Sequence, residues 1–224
     1  MTRIDLPRFI TIEGGEGAGK TTLILRFKEI LQSLGIPVVT TREPGGSLLS
    51  NQIRDWLLSR QPTVKIGAKA ELLMFLAARA QHIEELIAPA LAAGKVVLCD
   101  RFNDSTIAYQ GAGRGLGVSF VRELCQAVCG RTVPDLTFYL DVDPVVGLQR
   151  TRHSSKENAA AGEVDRMEAE KLEFHQRVRD VFVEMAQAEP ARFAIVDASR
   201  PQKAVVEACE KILLTHFGRD LLHN

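Results

Sequence analysis

The sequence of 224 residues predicts an α/β fold, a five-stranded parallel sheet with helices on both faces. Five short apolar segments alternate with segments of helical periodicity. A glycine-rich run follows the first apolar segment, and acidic or basic residues follow most of the others. In parallel sheets, ligands bind beyond the carboxyl ends of the strands. We therefore expect a single domain over 1–224 with its site at that edge.

The glycine-rich run is the most informative stretch of the chain. A predicted strand over 9–13 leads into Gly14-Gly15-Glu16-Gly17-Ala18-Gly19-Lys20-Thr21-Thr22, which fits the spacing Gly-x-x-x-x-Gly-Lys-Ser/Thr. A helical pattern begins at once, so N–H groups of the loop and of the helix N-terminus can hold phosphate oxygens. We expect Lys20 to neutralise the β- and γ-phosphates and the Thr21 hydroxyl to ligate Mg²⁺.

The elements that follow alternate as the fold class requires. Apolar residues at helical spacing predict a helix over 23–34, which Gly35 ends. The first half of the chain then predicts a strand over 36–41, a turn over 42–46, a helix around 53–57 and a long helix over 68–93. Pro89 lies inside that long pattern and is expected either to kink the helix or to divide it.

The second half repeats the alternation. A buried strand over 96–100 delivers Asp100 to the edge of the sheet, and the polar segment 101–117 should line a site. Next come a helix over 119–129, a strand over 136–140, a charged helix to about 188, a strand over 193–196 and a helix to about 217. The small, polar run 153–162 holds too little apolar surface to bury, which predicts a short flexible lid at about 150–166.

Composition narrows the function classes. Lys+Arg and Asp+Glu both number 28, and this balance argues against a broad nucleic-acid footprint. The chain shows no signal peptide over 1–7 and no apolar run long enough for a membrane span, so we expect no membrane partner. Four cysteines in apolar surroundings are typical of core thiols in a reducing compartment, and we expect a cytoplasmic protein.

A phosphate loop alone does not say what becomes of the γ-phosphate. No Asn/Thr-Lys-x-Asp signature of guanine recognition occurs, which weighs against a GTPase switch. Phosphoryl transfer needs cations distributed around its transition state. The chain supplies arginines at the predicted sheet edge and around the lid: Arg42, Arg79, Arg101, Arg150, Arg152 and Arg166. These residues indicate a phosphotransferase and leave its acceptor open.

Several segments together resemble bacterial thymidylate kinases, of the P-loop nucleoside monophosphate kinase family. They are 14–22, Thr41-Arg42-Glu43-Pro44-Gly45-Gly46, Glu71-Leu72-Leu73-Met74-Phe75 with Arg79, Asp100-Arg101, Tyr109-Gln110-Gly111, Asp165-Arg166 and Asp197-Ala198. The likeness runs from about residue 7 to the last helix. It implies transfer of the ATP γ-phosphate to dTMP, giving dTDP and ADP for dTTP biosynthesis, with Mg²⁺ and usually as a homodimer whose contact includes helices such as 68–93.

The resemblance also assigns site residues. ATP phosphates would be bound by Gly14, Gly15, Glu16, Gly17, Ala18, Gly19, Lys20, Thr21 and Thr22, and dTMP by Glu16, Arg42, Glu43, Pro44, Phe75, Arg79, Arg101, Thr106, Tyr109 and Gln110. Glu16 would accept a hydrogen bond from the 3′-hydroxyl of dTMP, and Phe75 would stack on thymine. Arg79 would hydrogen-bond to O4 of thymine. Thr106 and Gln110 would complete the polar recognition of the base.

Further roles concern the sugar, the phosphate and the metal. Tyr109 would crowd the 2′ position. Arg42 and Arg101 would hold the acceptor phosphate, and Glu43 would orient these two arginines. Asp100 would act near Mg²⁺, through water.

The phosphate loop carries no arginine between Gly15 and Ala18, so the resemblance implies that the lid supplies the transition-state charge. Arg152 and Arg166 are the candidates, with Arg150 third. Together with Lys20, Arg101 and Asp100 they complete the predicted catalytic set.

Three alternatives remain at this point. If the family resemblance is set aside, the sequence pattern predicts that Phe75 is a core residue and that Tyr109 and Gln110 are ordinary turn residues. The acceptor could be another monophosphate such as dUMP or UMP, or a deoxynucleoside. The loop could also belong to a nucleotide-dependent switch.

Overall fold

The computed structural model describes residues 8–58, 65–157 and 166–217, without the side chains of 153–157. Its centre is one parallel sheet with the strand order β2-β3-β1-β4-β5. The strands are β1 (Phe9–Gly14), β2 (Val38–Arg42), β3 (Val96–Asp100), β4 (Leu136–Asp141) and β5 (Phe193–Asp197). The predicted fold class is confirmed, and each predicted strand is found within two residues of its expected bounds.

The helices of the described residues cover both faces of this sheet. They are α1 (Lys20–Ser33), α2 (Leu48–Leu58), α3 (Ala68–His82), α4 (Ala88–Ala92), α5 (Asn103–Thr106), α6 (Val118–Cys129), α7 (Pro144–Glu157), α8 (Leu172–Ala188) and α9 (Gln202–Phe217). π-helical turns at Ile83–Ile87 and Ile107–Gly113 follow α3 and α5. No helix in these ranges combines the length and apolar character that a membrane span requires.

Each face of the sheet has its own apolar core. Leu23 and Phe27 of α1 pack with Leu213 of α9 on one face. On the other, α3, α6 and α8 pack around residues such as Phe182 and Val121. All of these side chains are buried, which explains why the strands between them read as almost continuous apolar runs.

The long helical pattern over 68–93 is continuous, as α3, a π-helical turn and α4. Pro89 is at the start of α4, directly after the π-helical turn at Ile83–Ile87. Proline has no N–H to donate and is tolerated in a first helical turn. Pro89 thus marks where the regular helix is interrupted, and the chain accommodates the proline by the wider π-helical turn before it.

Two helical segments were not predicted. Residues 103–113 are helical although their polar, glycine-rich sequence has no apolar stripe. α7 extends to Glu157, so the first part of the interval assigned to the lid continues a helix. Residues 158–165 of the predicted lid lie outside the described residues.

Candidate functional site

A cavity of about 390 Å³ lies at the carboxyl edge of the sheet, where the phosphate loop, the turn after β2 and the segment after β3 meet. Most of the predicted site residues line it: Glu16, Gly17, Ala18, Gly19, Lys20, Thr21, Thr22, Arg42, Glu43, Pro44, Phe75, Arg79, Asp100, Arg101, Thr106, Tyr109 and Gln110. Among the predicted residues, Gly14, Gly15, Arg152 and Arg166 are not part of this lining. The topology thus brings one group of polar residues from five segments together.

The phosphate loop depends on glycine at two close approaches. Gly14 and Gly17 have positive φ angles of 143° and 66°. A Cβ atom on Gly17 would lie 2.2 Å from the carbonyl oxygen of Gly147, and one on Gly14 would lie 2.6 Å from that of Leu140. The loop therefore lies against β4 and α7, at distances that only glycine allows, and it leads directly into the N-terminus of α1.

Lys20 is the first residue of α1 and turns back over the loop. Its Nζ donates to the carbonyl oxygens of Gly15 at 2.8 Å and of Gly14 at 3.2 Å. Burial lowers the pKa of Lys20, and the neighbouring Arg101 guanidinium lowers it further. The ammonium group is therefore held where an anion placed in the cavity would meet it.

Asp100 and Thr21 fit a hard divalent cation. Oδ1 of Asp100 is buried and has no hydrogen-bond partner among the described residues. Thr21 lines the same cavity from the start of α1. A carboxylate oxygen and a hydroxyl are ligands that Mg²⁺ accepts alongside water and phosphate. The donor set therefore fits Mg²⁺.

Arg101 organises the centre of the cavity. Its backbone has a φ of 67°, which is uncommon for a residue other than glycine. Nη2 donates to Oε1 of Glu16 at 2.8 Å and Nη1 to the carbonyl oxygen of Gly14 at 2.9 Å. The guanidinium lies 5.0 Å from the ring centroid of Tyr109, whose hydroxyl donates to the same Glu16 oxygen at 2.8 Å.

Glu16 carries the negative charge of this group. Burial alone would raise the pKa of Glu16, but Arg101 and Lys20 outweigh burial and lower it to about 2. Glu16 is therefore a carboxylate at neutral pH and can accept a hydroxyl proton in a hydrogen bond. An acid beside a phosphate site is tolerated because two cations surround it.

Arg79 is fixed at the other end of the cavity. It is 2% exposed, and its Nε donates to Oε2 of Glu43 at 2.7 Å while Nη2 donates to Oγ1 of Thr106 at 2.8 Å. Burial opposes the charged form, but Glu43 outweighs it and the pKa of Arg79 is raised. The second Glu43 oxygen contacts Nδ1 of His82 at 3.0 Å. Glu43 therefore orients Arg79, and the expectation that it orients Arg42 and Arg101 is wrong, because both of its oxygens bond to α3.

Phe75 and Gln110 line the cavity beside Arg79. Phe75 is half-buried and belongs to none of the buried core clusters, unlike Leu72 and Leu76 on the same helix. Gln110 is 1% exposed and donates from Nε2 to Oε1 of Glu71 at 2.8 Å. The cavity lining thus includes an aromatic ring, a guanidinium and an amide, which suit a planar, polar ligand.

The lid arginines do not line the cavity. Arg166 donates from Nε to the carbonyl oxygen of Leu57 at 3.0 Å and from Nη2 to Glu71. Arg150 donates from Nη1 to the carbonyl oxygen of Ala198 at 2.7 Å, and Arg152 is exposed on α7. The role assigned to them stays a prediction.

Glu13 is a buried acid that sequence reasoning missed. It accepts from the backbone N–H of Phe102 at 2.7 Å and from the hydroxyl of Ser105 at 2.6 Å. Burial and then the nearby Asp104 raise the pKa of Glu13 to about 7. The carboxyl group joins β1 to the segment that carries Arg101. An acid that ends an apolar strand, as at Asp100, was the signal available in the sequence.

The chain is similar in sequence and in fold to known proteins. The family model described as "Thymidylate kinase" matches residues 12–209. The chain is 53% identical over 205 residues to the thymidylate kinase of Protochlamydia amoebophila, covering 92% of this chain and 91% of that protein. It is 50% identical over 203 residues to that of Solidesulfovibrio magneticus, covering 89% and 95%. The crystal structure of thymidylate kinase from Ehrlichia chaffeensis matches with a TM-score of 0.72 and 35% identity over 92% of this chain and 97% of that one.

Proposed function

The chain belongs to the thymidylate kinase family, and we infer that it transfers the γ-phosphate of ATP to dTMP, giving dTDP and ADP for dTTP biosynthesis. It is an ATP-dependent nucleoside monophosphate kinase and therefore a phosphotransferase. The observation that carries this function is the shared cavity of the phosphate loop and the group formed by Phe75, Arg79 and Gln110. Donor phosphates and an acceptor nucleoside can meet there without a long displacement.

We propose that the phosphate loop and Lys20 hold the ATP phosphates. The loop N–H groups and the N-terminus of α1 favour anions, and Lys20 exchanges its loop carbonyl partners for phosphate oxygens. Thr21 and Asp100 would hold Mg²⁺, Asp100 through water, and the metal would neutralise charge that develops on the phosphates. Asp100→Asn should raise the Mg²⁺ concentration for half-maximal activity, whereas the exposed Asp55→Asn on α2 should leave it unchanged.

The acceptor would bind across Glu16, Arg101 and Tyr109. Arg101 and Arg42 would hold the dTMP phosphate, with Pro44 closing the turn beside them. Glu16 would accept a hydrogen bond from the 3′-hydroxyl of dTMP. The lowered pKa of Glu16 supports this role, because an ionised carboxylate is a strong acceptor. The Tyr109 hydroxyl donates to Glu16 and would lie close to the 2′ carbon, where it disfavours a ribonucleotide.

The thymine base would lie on Phe75. Arg79 would donate to O4, and Thr106 and Gln110 would complete the polar contacts. The two Arg79 bonds to Glu43 and Thr106 support this role, because a buried guanidinium held on two sides is fixed before the base arrives.

Lid arginines would complete the transition-state charge, as the resemblance implies. Arg152 and Arg166 are the candidates and Arg150 the third. The exposed position of Arg152 on α7 allows its side chain to turn toward the cavity, which neighbouring Thr151 lines.

We further propose a single domain over 1–224 that forms a homodimer in the cytoplasm, without nucleic-acid or membrane partners. Leu73 on α3 and Phe120 on α6 are 60% and 49% exposed and support a contact through these helices. The four cysteines are unpaired thiols, as is usual in a reducing compartment.

An acceptor panel tests the function. ADP release is followed with ATP, Mg²⁺ and, in turn, dTMP, dUMP, UMP, dCMP, AMP and GMP. Strong preference for dTMP is the expected result. Faster transfer to another monophosphate would contradict the base assignment while keeping the fold. ATP binding without transfer to any acceptor would favour a nucleotide switch.

A further inference from the structure

A buried carboxylate stands behind the proposed base reader. Glu71 is 1% exposed and lies in the first turn of α3, on the helix face that also carries Phe75 and Arg79 at intervals of four residues. Its Oε1 accepts from Gln110 Nε2 at 2.8 Å and from Arg114 Nε at 3.0 Å. Its Oε2 accepts from Nη2 of Arg166. Among the described residues, Gln110 is the cavity-lining residue that hydrogen-bonds to Glu71.

This contact fixes which way the Gln110 amide points. A carboxylate offers acceptors alone, so the group that Gln110 presents to Glu71 must be its NH₂. The amide oxygen of Gln110 accepts no hydrogen bond from the described residues, and Gln110 lines the cavity. The carbonyl end of the amide is thus the end left for a ligand.

An acceptor at this position selects between pyrimidines. Thymine and uracil carry a hydrogen on N3 and a carbonyl at C4, whereas cytosine has a bare N3 acceptor and an amino group at C4. The Gln110 oxygen can accept from N3–H, and the Arg79 guanidinium can donate to a C4 carbonyl. Cytosine would bring acceptor against acceptor at N3 and donor against donor at C4. A site built around such polar pairs rejects the mismatched ligand more strongly than an apolar pocket does.

We propose that Glu71 is a specificity-determining positioning residue, which holds the Gln110 amide so that the site accepts thymine-type and rejects cytosine-type monophosphates. The inference rests on the proposed role of Gln110 in reading the base. Two arginines keep Glu71 in place. Arg114 also donates to Sδ of Met167 at 3.3 Å and lies 5.0 Å from the ring centroid of Phe174, so it cannot swing away freely.

The test is the ratio of kcat/KM for dTMP to that for dCMP in Glu71→Gln. A glutamine at this position can donate to the Gln110 oxygen, which allows the Gln110 amide to turn its NH₂ toward the base. We expect the ratio to fall roughly tenfold or more, mainly through KM of the nucleotides, because a buried polar pair is lost with dTMP and gained with dCMP. KM for ATP should not change. A variant ratio equal to that of the wild type would overturn the proposal.

Control variants test whether the change in the ratio comes from the Gln110 amide or from the other contacts of Glu71. Arg114→Met removes one bond to Glu71 but leaves those from Gln110 and Arg166, so it should keep the wild-type ratio. Gln110→Leu should lower the ratio as Glu71→Gln does; if it does not, both the base assignment and this inference fail. If Glu71→Gln does not fold, the charge-balanced double variant Glu71→Gln/Arg114→Met carries the same expectation. A wild type that prefers dCMP would instead contradict the proposed function itself.

Discussion

Nε of Arg79 donates to Oε2 of Glu43 at 2.7 Å, and both side chains are at most 4% exposed. The pair joins the turn after β2 to α3, and His82 and Thr106 extend it on either side. A buried guanidinium with this partner is rigid and charged. Its position beside Phe75 makes the ion pair the framework of the proposed base pocket.

Glu43→Gln should therefore both destabilise the protein and weaken recognition of dTMP. Removal of one partner leaves a buried charge uncompensated, which costs about 3–5 kcal/mol in the free energy of unfolding. KM for dTMP should rise while KM for ATP stays close to its wild-type value. Urea unfolding and steady-state kinetics measure these effects, and Glu29→Gln on the exposed face of α1 serves as control. A stable variant with unchanged KM for dTMP would contradict this account.

Gly17→Ala should disrupt the phosphate loop. The new Cβ would lie 2.2 Å from the carbonyl oxygen of Gly147, and φ at this position is 66°. We expect a loss of roughly 2 kcal/mol or more in stability, since the left-handed conformation and the clash both oppose alanine. Gly15→Ala is the matched control, because a Cβ there meets no atom within 4 Å. Thermal unfolding should separate the two variants, and equal melting temperatures would refute the prediction.

Glu13 should make the protein less stable as the pH rises from 4.5 to 7. Its pKa is raised from 4.5 to about 7, so in this window the folded state holds a proton that the unfolded state has released. Linkage then lowers the free energy of unfolding with increasing pH, by at most about 3 kcal/mol over the window. Glu13→Gln should lose this part of the pH dependence, whereas the exposed Glu84→Gln should keep it. Identical profiles for Glu13→Gln and wild type would show that Glu13 does not titrate there.

The lid arginines should differ in what their loss affects. Replacement of the residue that reaches the transferred phosphate should lower kcat roughly 10³-fold, as for arginine fingers. Arg152→Ala should do so without a change in stability, because Arg152 is exposed. Arg150→Ala and Arg166→Ala should also lower stability, since both side chains bond backbone carbonyls. Little loss of turnover in all three variants would reject the lid as the source of this charge.

The strands and the cavity could be predicted because they depend on local patterns. Apolar runs that end in Glu13 or Asp100 mark strands of a parallel sheet, and the spacing from Gly14 to Lys20 marks the phosphate loop. The order of the elements then places their ends together. No side-chain contact has to be known for this, and most of the predicted site residues do line the cavity. The roles assigned to them stay predictions.

Partners of individual charges could not be predicted in this way. Glu43 precedes Pro44 in the chain but bonds to Arg79 and His82 on α3, a choice that depends on how α3 packs on the sheet. The raised pKa of Glu13 arises from burial by the segment after β3. The helical course of residues 103–113 depends on tertiary contacts, because a glycine-rich sequence has little intrinsic helix propensity.

Product analysis tests phosphoryl transfer from ATP to dTMP directly. The purified protein is mixed with ATP, Mg²⁺ and dTMP, and dTDP and ADP are quantified by chromatography beside Lys20→Met. We expect the two products in equal amounts, and almost none from the variant, because its phosphate loop lacks the ammonium group. ADP without dTDP, or undiminished dTDP from Lys20→Met, would contradict phosphoryl transfer at this site.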